Sequence, residues 1–188
     1  MADLELWLVR HGETSASRDG RLAGWDDVPL TERGVEQARA LRPLLEGERF
    51  AGVWSSDLQR AADTARLAWG SAEADPRLRE IHFGSLEGQD WDVLDTRHRQ
   101  ALVDFAGFDP PGGEKLEVVA ARVGEFLAGL EAGRHLVFTH GGVIRLLSRE
   151  VGEMEFLATG TVLALDWSSK TVLFRRENAI PSPLPFAR

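Results

Sequence analysis

Two segments of this chain have the same pattern, an apolar run followed by His-Gly, and this pattern limits the folds that the chain can adopt. Residues 8–12 read Leu-Val-Arg-His-Gly and residues 137–141 read Val-Phe-Thr-His-Gly, so each ends a mostly apolar run in His-Gly. Such runs are typical of strands buried on both faces, as in parallel sheets. Helical patterns separate the strand-like runs. The sequence therefore predicts an α/β fold, a three-layer sandwich with a mostly parallel central sheet flanked by helices.

The predicted elements alternate along the chain. Strands are predicted over residues 4–9, 50–54 and 135–139, with a final hairpin over 161–167 and 171–175. Helices are predicted from residue 32, from 58 to about 69, over 116–130 and over 143–149. Thr31 and Asp57 are the expected N-caps of the first two helices, because their side chains can accept from free helix N–H groups. Pro43 should kink or shorten the first helix.

Length and charge limit the organisation and the partners. The 188 residues, 43% of them hydrophobic, suffice for one well-buried domain, which we predict over 1–180 and follow with a Pro-rich tail over 181–188. A net charge of −8 disfavours non-specific binding to nucleic acid or an anionic membrane. With neither a signal peptide nor a membrane-spanning run visible, we expect a cytoplasmic protein.

Several kinds of chemistry have no support in the sequence. The chain contains no cysteine, which removes thiolate nucleophiles and cysteine-based metal sites. Its 5 histidines include no pair at zincin spacing, and no Walker loop, dinucleotide fingerprint or nucleophile elbow occurs. We therefore expect neither a metal nor a cofactor.

The two His-Gly segments predict a phosphate site. The carboxyl ends of parallel strands are where ligands bind in open sheets, and this placement brings His11 and His140 to one edge. Arg10 precedes His11, and Arg60 falls in the first turn of a predicted helix, where free N–H groups attract anions. The planar fork of arginine matches phosphate.

Glu80 is the candidate proton carrier. It lies in a loop-like segment with apolar neighbours, and such surroundings favour the protonated form that a general acid needs. Glu13 and Glu87 are alternatives. Glu114 is a third, but its Pro-Pro-Gly-Gly turn is expected to shape the mouth of a site rather than to transfer protons.

At these residues the chain resembles a known family. Residues 8–14, Leu-Val-Arg-His-Gly-Glu-Thr, are similar to the signature of the histidine phosphatase superfamily, also called the phosphoglycerate mutase-like family. The resemblance runs from about residue 4 to 180. Further segments follow in the family's order at 29–34, 55–61, 78–88 and 139–145. Arg-His-Gly alone is a weak match, whereas several segments in order are specific.

The resemblance implies a phosphoglycerate mutase-like fold and a role for each site residue. His11 would be the nucleophile that carries a phosphohistidine, and Glu80 would protonate the leaving oxygen and then activate water. Two guanidinium groups and an imidazolium would hold the phosphoryl group, those of Arg10, Arg60 and His140. Substrate contacts are expected at Ser17, Gly24 and Gly141.

Departures from the family pattern leave the substrate open. Ser17 stands where the family often has Asn, Ala23 where a polar residue is common, and Lys115 where the phosphatase branch often has Ser. The short spacer before the Pro-Gly-Gly-Glu turn resembles the short phosphatase branch, which includes α-ribazole-phosphate phosphatases. Residues 90–108 would form the lid and leaving-group pocket, with Trp91, Leu94, Leu102 and Phe105.

The function predicted from these observations is a metal-independent phosphomonoesterase. It would act through a phosphohistidine on a small phosphorylated metabolite, with α-ribazole phosphate as one candidate. A 2,3-bisphosphoglycerate-dependent phosphoglycerate mutase is the alternative. A non-catalytic module that binds a phosphorylated ligand is disfavoured, since the reactive set is intact. Whether the chain forms a homodimer is left open.

Overall fold

The computed structural model describes residues 3–182, and six strands form one mixed sheet within them. The strands are β1 (Leu4–Arg10), β2 (Gly52–Ser55), β3 (Glu73–Ala74), β4 (Gly133–Thr139), β5 (Val162–Asp166) and β6 (Thr171–Arg176). Their order is β3-β2-β4-β1-β5-β6. The first four run parallel, and β5 and β6 form an antiparallel hairpin at one edge. The predicted, mostly parallel α/β sheet is confirmed.

Helices cover both faces of this sheet. They are α1 (Ser15–Asp19), α2 (Glu32–Ala40), α3 (Arg42–Leu45), α4 (Gln59–Ala68), α5 (Thr96–Asp104), α6 (Leu116–Ala128) and α7 (Gly141–Arg149). Short 3₁₀ turns span Pro76–Leu78, Gly84–Leu86 and Trp91–Val93. Because strand side chains alternate between faces, β1 sends Leu8 into a core with α6 and α7, and Val9 into a second core with α3 and α4.

The register of β1 and β4 brings the two His-Gly segments together. The strands pair in parallel from Leu4 opposite Gly133 to Arg10 opposite Thr139. One residue further on, the His11 N–H donates to the Thr139 carbonyl oxygen at 3.0 Å. Since parallel strands end at the same edge, both histidines lie at the carboxyl edge of the sheet.

Two of the three predicted helix-end features are confirmed. The Thr31 hydroxyl accepts from the Gly34 N–H, and α2 stops at Ala40 so that Pro43 lies in the first turn of α3. The N-cap predicted at Asp57 is wrong. The Asp57 carboxylate pairs with the Arg79 guanidinium at 2.5 Å, which takes it from the helix.

A carboxylate from another loop takes the place of Asp57 at α4. The Gln59 N–H at the start of α4 donates to Asp27 Oδ1 at 2.7 Å. This contact joins residues 32 positions apart, so no local pattern reveals it. The helix still gains the carboxylate that its free N–H groups favour.

The predicted tail lies largely outside the described residues, since only 181 and 182 belong to them. Those two pack on the domain: the Ser182 hydroxyl donates to Glu13 Oε2 at 3.1 Å, and Gln37 Nε2 donates to Ser182 Oγ at 2.8 Å. A domain boundary at 180 stays a prediction. Over the residues that the structure describes, no helix is long and apolar enough to cross a membrane.

A close backbone contact fastens the loop after β1 to α2. A Cβ built at Gly34 would overlap the Glu13 carbonyl oxygen, and one built at Gly12 would overlap the Gly34 carbonyl oxygen. Any side chain at either position would force the loop and the helix apart. The loop that follows His11 therefore depends on two glycines that face each other.

We predict that Gly34→Ala destabilises the protein by about 1–3 kcal/mol, the usual cost of overpacking. The matched control is Gly124→Ala in α6, where an added Cβ meets no atom within 4 Å. Helix propensity should there stabilise the fold by about 0.5–1 kcal/mol. Urea denaturation of both variants measures the two free energies of unfolding. A Gly34→Ala variant as stable as the Gly124→Ala variant would contradict this packing.

Candidate active site

A cavity of about 260 Å³ opens at the carboxyl edge of the sheet. Its polar lining brings together side chains that the sequence analysis singled out, those of Arg10, His11, Arg60 and Glu80. Most of the remaining lining is apolar, and it comprises Leu22, Phe83, Trp91, Leu102, Val103, Phe105, Met154 and Phe156. The cavity can thus take a charged group at one set of residues and an apolar group at another.

His11 presents an unprotonated ring nitrogen. Its Nδ1 lies 2.7 Å from the Gly12 carbonyl oxygen, which can only accept, so Nδ1 carries the proton and Nε2 holds a free lone pair. Burial, with the charges of Arg60 and Arg10, lowers the pKa of His11 well below its usual 6.5. The ring is therefore neutral at neutral pH and nucleophilic at Nε2.

Arg10 and Arg60 carry buried charge, and neither forms an ion pair with a carboxylate of the described residues. Arg10 donates to the Leu157 carbonyl oxygen and stacks on the Phe156 ring, 4.6 Å from its centre. Arg60 donates to the carbonyl oxygens of Asp26 and Gly24 at 2.9 and 2.6 Å. Burial chiefly lowers the pKa of Arg10 to about 10 and also lowers that of Arg60, and Arg10 remains cationic at neutral pH. Carbonyl oxygens bind these guanidinium groups directly, and the carboxylate of Glu80 favours their charge without a direct bond to either.

His140 is also neutral in the free protein. Burial and the charge of Arg60 lower its pKa well below 6.5. Its Nε2 lies 2.8 Å from Ser56 Oγ, which also accepts from the Leu58 N–H at 3.3 Å. Among the described residues the Ser56 hydroxyl has no other acceptor, so we assign its proton to His140 Nε2 and the ring proton to Nδ1. The lowered pKa favours a neutral ring in the site without an anion, and the imidazolium expected beside a bound phosphoryl group stays a prediction. A neutral Nδ1–H still donates.

Three donors among the predicted phosphate-binding residues have no protein partner. Among the described residues, Arg10 Nε, Arg60 Nε and His140 Nδ1 are buried and make no hydrogen bond, and a fourth such atom, Arg145 Nε, belongs to a side chain that binds α5. A buried donor left unmatched costs about 1–3 kcal/mol. An anion with several oxygen acceptors, as a phosphoryl group has, would satisfy the first three together.

Glu80 is the one carboxyl among the residues that line this cavity. Its Oε1 accepts from the Ile81 N–H at 2.9 Å, and both oxygens accept from the Gly142 N–H, in the first turn of α7, at 3.1 Å. The alternatives Glu13, Glu87 and Glu114 do not line the cavity. The arrangement thus places one carboxyl in the same cavity as a neutral imidazole and two guanidinium groups.

The three predicted substrate contacts differ in position. Ser17 and Gly24 line the cavity, whereas Gly141 does not. Ser17 Oγ accepts from the Thr14 N–H at 2.9 Å and donates to the Thr14 carbonyl oxygen at 3.1 Å, so it completes the cap of α1. The Gly24 carbonyl oxygen supports Arg60. A Cβ on Gly141 would lie 3.1 Å from the Phe156 ring.

Two contributors were missed by sequence reasoning. Gly142 lines the cavity and its N–H binds Glu80. The pair of glycines that starts a helix after His140 was the available signal, because helix N-termini expose free N–H groups. Phe156 covers Arg10 from a segment with no regular structure, and no local pattern indicates that contact.

The segment predicted to be the lid contributes most of its named residues. Trp91, Leu102 and Phe105 line the cavity, while Leu94 is 2% exposed and belongs to the core. Arg145 of α7 donates to the carbonyl oxygens at the end of α5, those of Leu102 and Val103, at 2.7 and 2.5 Å. Helix α5, which lies in the segment predicted to form the lid, is thereby tied to α7.

Metal coordination finds no support in the part of the chain that the structure describes. Residues 3–182 contain no cluster of three or more His, Cys, Asp or Glu side chains placed to hold an ion. Phosphoryl transfer needs charge neutralisation and in-line placement, which arginine and histidine donors can supply.

Known proteins that are similar to this chain include enzymes that act on phosphorylated compounds. A relative from Escherichia coli (strain K12), adenosylcobalamin/alpha-ribazole phosphatase, is 37% identical over 77% of each chain. The 2,3-bisphosphoglycerate-dependent phosphoglycerate mutase 2 of Gloeobacter violaceus is 35% identical over 79% of this chain and 76% of its own. The crystal structure of TTHB049 from Thermus thermophilus superposes with a TM-score of 0.87, at 50% identity, and covers 92% of this chain and 99% of that one.

The family model matches the same region. The model of the histidine phosphatase superfamily (branch 1) spans residues 6–174, which include both His-Gly segments and Glu80. The solved structure of a phosphoglycerate mutase from Thermus thermophilus, with a TM-score of 0.86 at 51% identity over 91% of this chain and 97% of that one, accords with the predicted fold type. This chain belongs to the histidine phosphatase superfamily.

Proposed function

We propose that this protein is a phosphomonoesterase that needs no metal and forms a phosphohistidine at His11 from a small phosphorylated metabolite. The observation that carries the proposal is the set of three unmatched buried donors, on Arg10, Arg60 and His140, in the site of a neutral His11. A phosphoryl group would satisfy these donors. The unprotonated Nε2 of His11 would then be available for attack.

In the first half-reaction, His11 Nε2 forms a bond to phosphorus as the bond between phosphorus and the leaving oxygen breaks. Glu80, entering protonated, gives its proton to that oxygen, and a neutral alcohol leaves. The positive donors neutralise charge on the equatorial phosphoryl oxygens. His11 then carries the phosphoryl group and Glu80 is a carboxylate.

In the second half-reaction, Glu80 takes a proton from water while the water oxygen bonds to phosphorus. The phosphorus–nitrogen bond breaks, and its electron pair returns to Nε2. Inorganic phosphate leaves, and both residues regain their starting states. One carboxyl therefore serves both halves, as a general acid and then as a general base.

The apolar lining supports an alcohol with an aromatic or apolar group as the leaving group. Trp91, Phe105 and Phe156 supply rings that can pack on such a group. α-Ribazole phosphate has this character, and the Escherichia coli relative is named for it. Ala23 contributes no polar contact to the lining, so a sugar acid finds fewer partners. The cytoplasmic location stays a prediction, and the oligomeric state stays open.

The nucleophile can be tested by trapping. We expect a phosphorylated substrate to label the protein with an acid-labile, base-stable adduct, as a phosphoramidate is, and His11→Ala to abolish the label. Labelling and phosphate release should both survive exhaustive chelation. His98→Ala, at a position that does not line the cavity, is the control and should label normally. An acid-stable adduct, or labelled His11→Ala protein, contradicts the proposal.

The protonation of His11 gives a second test. Because its pKa is lowered, the ring should remain neutral as the pH falls through 6.5. Arg60→Gln removes a charge that lowers this pKa, so the titration midpoint should move up, whereas Arg60→Lys retains the charge and should leave it near the wild-type value. NMR titration of the ring, assigned with His11→Ala, measures the midpoint. Equal midpoints in the Gln and Lys variants would refute this electrostatic account.

The mutase alternative predicts a different product. A mutase must keep its phosphohistidine from water while the substrate reorients in the site, whereas a hydrolase admits water. We expect phosphate release from several monoesters and little interconversion of 2- and 3-phosphoglycerate, with or without added 2,3-bisphosphoglycerate. A coupled mutase assay and a phosphate-release assay on one preparation decide. Mutase turnover about a hundredfold above every hydrolysis rate would establish the alternative.

A further inference from the structure

Arg122 of α6 uses every donor it has without lining the cavity. Its Nε and Nη2 donate to the two carboxylate oxygens of Glu114, each at 2.9 Å. Its Nη1 donates to the carbonyl oxygens of Arg77 and Arg79, both at 2.7 Å, and Nη2 also donates to that of Glu80 at 2.9 Å. These bonds match the five N–H groups of a guanidinium. The side chain is therefore fully engaged by the segment that carries Glu80.

Glu114 binds the same segment at His82, two residues after Glu80. Its Oε2 accepts from the His82 N–H at 3.0 Å, and its own N–H donates to the His82 carbonyl oxygen at 2.8 Å. Burial raises the pKa of Glu114, but the Arg122 pair and the His82 N–H outweigh it and lower the pKa overall. The carboxylate stays ionised and bound at neutral pH.

The main chain of Glu80 is thus held from outside the cavity. Its carbonyl oxygen accepts from Arg122 and also from Trp25 Nε1 at 2.9 Å, which occupies both lone pairs. The carboxylate, in contrast, accepts from two backbone N–H groups and from no side chain of the described residues, the two being those of Ile81 and Gly142. The position of the proton carrier therefore depends on where its backbone is fixed.

We infer that the ion pair between Arg122 and Glu114 is a positioning device for Glu80, which sets the distance from its carboxyl to the leaving oxygen. This inference rests on the proposed role of Glu80 as the general acid. A buried ion pair is weak evidence for stability alone, and a fork that meets three carbonyl oxygens of one segment suits placement better. A misplacement of about 1 Å can cost about a hundredfold in rate.

The experiment compares two aryl phosphates of similar size. Phenyl phosphate needs a proton on its leaving oxygen, whereas p-nitrophenyl phosphate expels a weakly basic phenolate without one. We expect Arg122→Lys to lower kcat for phenyl phosphate about tenfold more than kcat for p-nitrophenyl phosphate, as the fork is lost and Glu80 shifts. The KM values and the inhibition by inorganic phosphate should stay unchanged, because the substitution leaves the phosphate-binding residues Arg10, Arg60 and His140 in place.

Glu80→Gln and the double variant separate the inference from the function. Glu80→Gln should show a larger loss of the same kind, and adding Arg122→Lys to it should leave the ratio of the two substrates unchanged. The control is Arg134→Lys, which replaces a guanidinium of β4 that pairs with Glu5 and Glu48, outside the segment that carries Glu80, and should not alter that ratio. If Arg122→Lys fails to fold, Glu114→Gln takes its place, with a smaller effect in the same direction.

Each outcome has one meaning. Equal losses on the two substrates in Arg122→Lys, with a normal Glu80→Gln profile, overturn the positioning role and leave the proposed function standing. Further loss of the substrate ratio in the double variant also overturns it, because Arg122 would then act independently of Glu80. A Glu80→Gln variant that treats both substrates alike overturns the general acid itself, and with it the inference.

Discussion

The parallel pairing of β1 with β4 is the constraint on which the rest of this site depends. Its register ends both strands together, so that His11 and His140 lie with ring centres 5.2 Å apart. The loop after β1 is then fixed by helices on one face. The Gly12 N–H donates to Thr64 Oγ1 of α4 at 3.0 Å, and the Glu13 N–H donates to Gln37 Oε1 of α2 at 2.8 Å. The position of His11, the proposed nucleophile, therefore depends on sheet pairing and on two helices.

Burial gives this site its electrostatic character. Two guanidinium groups lie in it without carboxylate partners, and carbonyl oxygens such as those of Leu157 and Gly24 offset their charge only in part. Burial lowers the pKa values of His11 and His140, and the same charges lower them further, which keeps both rings neutral. Had a carboxylate paired with either arginine, the donors would be occupied and the histidines more basic. The site is prepared for an anion because its one carboxyl, that of Glu80, binds backbone N–H groups rather than either arginine.

The sequence predicted what depends on local chemistry. Strand patterns located β1, β4 and the final hairpin, the Thr31 cap and the break at Pro43 are as expected, and side chains after two neighbouring strands converge because parallel strands share an edge. The sequence was less informative where a residue's state depends on a partner that is distant along the chain. Asp57 was expected to cap α4, but Arg79 competes for it. The proton on His140 depends on Ser56, 84 residues away, and on burial that no short window reveals.

The placement of Glu80 matters because, among the described residues, it is the single carboxyl that lines the cavity. Because no other Asp or Glu of the described residues lines it, the proposed mechanism requires Glu80 both to give and to take a proton during one turnover. A side chain that can swing freely would serve one step at the expense of the other. The backbone clamp by Arg122 and Trp25 leaves the carboxyl with little more than rotation about its own bonds. The leaving oxygen and the attacking water must therefore occupy the same place in turn, which requires the alcohol to depart before water enters.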